Sequence, residues 1–169
     1  VTTIGPGGAT RSYPGIRLAQ FPPADLMRLF WLPYSVSIIY LFLGTWIFQL
    51  SKDQSTGRAF AYFCLCTTIT LTFLFDLATT HLASAIWTIA IAQIGGALTC
   101  LALVFPTPAK IIRTRPRLQY LPYAVSALAA ALGLLALYNY RQPWLYISAW
   151  RISYVYAALA ILIFIVTLI

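Results

Sequence analysis

The chain has 169 residues, of which 61% are hydrophobic and only 8% charged, and eleven Lys and Arg against three acids give a net charge of +8. Soluble domains carry roughly a quarter charged residues, so a chain of this balance, with a mean hydropathy of +0.83, cannot cover itself for water and reads as a membrane protein. No basic face is interleaved with a polar scaffold, which removes nucleic acid from the expected partners and leaves membrane lipids.

The first 23 residues, VTTIGPGGATRSYPGIRLAQFPP, carry turn signals at Gly5-Pro6-Gly7-Gly8 and Pro14-Gly15 and an alternating piece, Ile16 to Gln20. That pattern suggests an extended external segment with a strand or hairpin. No signal peptide opens the chain, there is no initiator Met, and the end, ILIFIVTLI, stops inside an apolar run. The expectation is a piece of a longer product. Residues 24–29 could start a short interfacial helix, with Asp25 near its N-terminus suiting the helix dipole.

Five apolar runs follow within residues 24–169, at about 30–50, 59–78, 84–105, 118–138 and 152–169. Each approaches the ~20 residues a bilayer core requires. The expected fold class is therefore an all-α membrane protein, a bundle of five transmembrane helices with the N-terminus outside. Orientation comes from the connections. The first and third hold Lys52, Arg58, Lys110, Arg113, Arg115 and Arg117, the second holds no Lys or Arg, and the fourth holds Arg141 and Arg151. Positive charge favours the cytoplasmic side and anionic lipid headgroups, so these six residues are read as topology and headgroup contacts.

Along the helices, Trp31, Tyr34, Trp46 and Trp87 are expected at interfaces, and the aromatic loop 139–151 along the outer surface. Pro33 and Pro122 are expected in first turns, where proline costs little. Gly95, Gly96 and Ala97 sit mid-helix in AQIGGALTC. They are read as a close helix-packing point, or else as a ligand crevice with Gln93 as its polar wall. Cys64, Cys66 and Cys100 lie in apolar runs without metal or redox spacing and read as packing residues.

The stretch FDLATTH, Phe75 to His81, holds the only histidine and the only acid deep in an apolar run. Asp76 lies near the outer end of the second helix, where a charge costs less than at the bilayer centre. It reads either as an interfacial polar cap, helped by water, Thr79 or Thr80, or as a functional pair with an arginine. Arg151 is the first expected partner and Arg28 the second. His81 falls in a loop and is expected to be exposed, without metal or pigment. No Ser/His/Asp set, paired carboxylates or phosphate-cradling loop points to catalysis, so no enzyme activity, catalytic residue, metal or cofactor is expected beyond lipid.

The run SVSIIYLFLGTWIFQLSKDQSTGRAFAYFCLCTTITLTFLFDLATTH, followed by WTIAIAQIGGALTCLALVFP, resembles the membrane-embedded sensor region of bacterial sensor histidine kinases. The type is the multi-helix region found in Chloroflexi, cyanobacteria and the competence kinases of bacilli. The features carrying the likeness are IYLFLGTWIF, the basic loop ending in GRAF, the FDLATTH turn, and ALVFP leading to a basic loop before LPY. In such proteins a PDZ-like external segment often precedes the helices, and residues 1–23 are similar to the end of one. The resemblance implies a sensory input region in the bacterial inner membrane, a homodimer or partner of other membrane subunits, whose kinase domain would lie elsewhere. The alternative is an accessory subunit of a photosynthetic or respiratory complex, holding lipid or pigment.

Overall fold

A computed structural model of the chain describes residues 2–4, 10–12, 22–139 and 141–168. Two short strands, β1 (Thr2–Ile4) and β2 (Thr10–Ser12), pair antiparallel with Thr3 opposite Arg11. The alternating piece at 16–20 lies outside the described residues. Among the described residues, everything else with regular structure is helical.

The first helical rod is composite: α1 (Pro23–Leu26), a π turn at Met27–Trp31, then α2 (Leu32–Ser51). Pro33 is the second residue of α2, the first-turn place expected of it, although the rod as a whole starts ten residues earlier. Proline supplies no N–H to the preceding turn and its ring crowds the carbonyl there. The wider π turn just before it relieves that conflict. The second rod is α3 (Ser55–Thr72) and α4 (Leu74–Ala78), with a break at Phe73. The hydroxyls of Thr67 and Thr70 bond back to the carbonyls of Phe63 and Cys66, each at 2.9 Å, and such back-bonding bends helices. Then come α5 (Ser84–Val104), short α6 (Lys110–Thr114), a 3-10 turn at Pro116–Tyr120, α7 (Leu121–Leu137) and α8 (Trp144–Leu168).

Five helical stretches, 23–51, 55–78, 84–104, 116–137 and 144–168, are long and apolar enough to cross a membrane. They fit a multi-pass membrane protein. Three of them start well before the apolar runs do, the first at Pro23 instead of 30. The second begins at Ser55 instead of 59, since STGR forms a first helical turn that hydropathy cannot register. The last begins at Trp144, right after Pro143, instead of at 152. Its first two turns carry Trp144, Tyr146 and Trp150, rings that sequence reading assigned to a surface loop.

The helix α5 stands at the centre, packed on α3, α7 and α8, while α2 packs chiefly on α3. Close approach depends on glycine at three seams, α5–α8, α5–α7 and α2–α3. A Cβ on Gly95 would lie 2.5 Å from the Tyr156 ring on α8, and one on Gly96 2.7 Å from the Pro122 carbonyl on α7. Gly133 of α7 meets Thr88, and Gly44 of α2 meets Cys64 of α3. Where the surroundings are as apolar as leucine, association relies on such close packing. The α2–α3 seam adds hydroxyls: Thr72 donates to Ser37 Oγ at 3.1 Å and Thr68 to the Ser37 carbonyl at 3.3 Å. Ser37 itself donates to Tyr34 O at 2.8 Å.

Trp87 is not an interfacial ring. It is 1% exposed and meets Trp150 edge to face at 5.8 Å. The early start of α8 explains this, because two extra turns of helix cover it.

Candidate functional site

Chain connectivity puts the loops after α2 and α5 at one end of the bundle, and the Thr56 hydroxyl, donating to the Val104 carbonyl at 3.2 Å, ties them together. Lys52, Arg58, Lys110, Arg113, Arg115 and Arg117 all stand exposed at this end, with Asp53 as the one acid. The opposite end holds the FDLATTH turn and the start of α8.

At that opposite end Asp76, half-buried on α4, organises the turn into α5. Its Oδ1 accepts the Thr80 hydroxyl and, at 3.2 Å, the Leu82 N–H, while Oδ2 accepts the Ala83 N–H at 2.8 Å. Its main-chain carbonyl takes the N–H groups of Thr79 at 3.0 Å and His81 at 2.9 Å. Ala83 caps α5 and has no side chain able to hold the free amides there. Asp76 supplies the missing acceptor from the preceding helix and places a negative charge at the positive end of the α5 dipole. The turn is tight enough to put His81 at φ 58°, a conformation few residues other than glycine adopt. The His81 side chain is exposed and its carbonyl accepts Ser84 Oγ at 3.0 Å.

The expected arginine partner is not what the structure gives. Arg151 and Arg28 are both exposed, and neither is among the groups bonded to Asp76. The cause is the longer α8. With its start at Trp144, Arg151 lies about two turns into the helix rather than at loop depth. A legible signal existed: Thr80 stands four residues after the acid and the next helix begins eight after it, the spacing of an acid that caps the following helix.

Two further contacts anchor this end. Phe75 meets Phe30 of the π turn edge to face, centroids 5.4 Å apart. On α5, Thr88 donates to Ser84 O at 2.7 Å and shares a 2.9 Å bond with the Tyr146 hydroxyl of α8.

The mid-helix glycines do not border a ligand crevice, since Tyr156, Ser126 and Pro122 fill the space they open. Ala97 is fully buried. Gln93 is half-buried, and its Oε1 has no hydrogen-bond partner. Cys64, Cys66 and Cys100 are buried free thiols. Among the described residues no group of three His, Cys, Asp or Glu is placed to hold a metal. No family model, curated protein or solved structure matches this chain.

Proposed function

We propose that the chain is the membrane-embedded sensory input region of a bacterial signal-transduction protein. In this reading it sits in the inner membrane with its N-terminus outside and its basic end in the cytoplasm. It performs no catalysis itself and passes a signal inward by helix displacement, alone or as a homodimer. The asymmetry of positive charge between the two ends supports the orientation.

One contact carries the sensory part: Phe30 against Phe75. Phe30 belongs to the π turn that joins the N-terminal segment to α2, and Phe75 precedes Asp76, whose carboxylate holds the start of α5. A push on the external segment would reach the central helix through two rings and one capped turn. Helix shifts of this kind, in a packed bundle with two arrangements, are a known switching mode.

The test uses the full-length protein in its host membrane with a transcriptional reporter of its output. Phe30→Ala and Asp76→Asn should each alter signalling while leaving insertion intact, with loops 52–54 and 107–117 labelled only from the cytoplasmic side. Silent variants would sink the sensory reading, and labelling from outside would reverse the orientation. Stoichiometric co-purification with large cofactor-bearing subunits would instead favour the accessory-subunit reading.

A further inference from the structure

At the basic end, between α3, α5 and the start of α7, lies a cleft of about 360 Å³. Its lining is unlike that of an ordinary lipid-facing groove. Ser55, Arg58 and Gln119, each with a hydrogen-bond donor, line it beside Tyr62 and Tyr123, and no carboxylate does. The Tyr62 and Tyr123 rings meet edge to face at 5.3 Å and form its floor. The Tyr123 hydroxyl rests on the Cys100 thiol beneath.

Among the described residues, the side chains of Ser55, Arg58 and Gln119 have no hydrogen-bond or ion partner. Three unengaged donors, one of them a guanidinium that also borders the α2–α3 groove, line one concavity. The first amides of α3 also end here, without a side-chain cap at Gln54. Lys110, Arg113, Arg115 and Arg117, on the segment leading into Gln119, raise the local positive potential further.

We propose that this cleft is a binding site for a phosphate ester. The Arg58 fork would take two phosphate oxygens, as guanidinium groups do. The Gln119 amide and the Ser55 hydroxyl would donate to the remaining oxygens, and the paired tyrosines would form the wall beneath. The same chemistry is presented by an anionic phospholipid headgroup and by a soluble phosphate. The proposal depends on the cleft and its donors, and stands whether or not the chain is a sensor.

Purified full chain in a neutral detergent, titrated with short-chain phosphatidylglycerol and separately with inorganic phosphate, provides the test. Loss of a charge-assisted bond should weaken binding about tenfold in Arg58→Gln. Gln119→Leu should lose severalfold, and Arg115→Gln, equal in charge change but outside the cleft, less than twofold. Phosphatidylglycerol binding that millimolar inorganic phosphate does not displace assigns the site to a lipid headgroup. Displacement assigns it to soluble phosphate. Equal losses in Arg58→Gln and Arg115→Gln would reduce the effect to surface charge and overturn the site, as would a wild-type chain that binds neither probe. If Arg58→Gln does not fold, Gln119→Leu and Ser55→Ala carry the same comparison against Arg115→Gln.

Discussion

The helices α2 and α5 have similar length and nearly equal hydropathy, yet 67% of the apolar stretch of α5 is buried and only 11% of the first rod's. The difference lies in side-chain size. Ala90, Ala92, Gly95, Gly96, Ala97, Cys100 and Ala102 keep α5 thin, and three helices close around it. Along α2, by contrast, Ile38, Ile39, Phe42, Trp46 and Phe48 point outward, and the small residues that are buried, Ser37 and Gly44, lie at the α3 seam. Hydropathy tells which segments are apolar, whereas the spacing of small residues tells which one neighbours can surround.

That contrast can be broken most severely at Gly96. Gly96→Val would drive methyl groups into Ser126 and the Pro122 carbonyl, and backbone cannot swing aside. A loss of about 3 kcal/mol is expected in reversible denaturation in detergent micelles. Gly95→Ala meets the Tyr156 ring, which can turn, so the same measurement should show about 1–2 kcal/mol. If Gly95 proved the costlier position, rigidity of the neighbour would not be the deciding factor.

Smaller effects sharpen the picture at the end of α5. Thr88→Val removes the bond to Tyr146 and should cost about 1 kcal/mol in the same assay. Asp76→Ala leaves the Leu82 and Ala83 amides without acceptors, so hydrogen exchange at those two positions should quicken. Asp76→Asn keeps an acceptor but loses the charge that favours the helix start, and should give a smaller acceleration. On α2, Phe42→Ala should stay within about 0.5 kcal/mol of wild type. A larger loss there would mean that the exposed face of α2 is covered by another helix.

Much of this architecture was legible in the sequence. The apolar runs located the five helices, and the Lys and Arg placement separated the two ends. The runs failed at helix starts, because a backbone continues its internal hydrogen bonds through polar or aromatic turns that hydropathy excludes. Ser55 to Arg58 and Trp144 to Arg151 are both cases of this. Trp87 misled for a related reason: an indole suits both an interface and a core, and only the added turns of α8 decide between them. Asp76 was visible as an unusual acid. Thr80 is among its expected helpers and does donate to it, but the Leu82 and Ala83 partners were not visible, because they are main-chain amides, which carry no letter in the sequence. The donors around Arg58 escaped for another reason, since Gln119 and Tyr123 lie more than sixty residues away along the chain.

The hydroxyls between α2 and α3 behave unlike the glycine contacts around α5. Ser37, Thr68 and Thr72 hold the seam through bonds that each have a ready substitute. A threonine that loses its acceptor on α2 can turn back to the carbonyl one turn earlier on its own helix, as Thr67 and Thr70 already do. Rotating α2 over α3 therefore strands no polar group, whereas rotating α7 over α5 would press a carbonyl into bare backbone. The hydroxyl bonds of the α2–α3 seam can thus be remade within each helix, whereas the glycine contacts, that of Gly44 on Cys64 included, have no substitute.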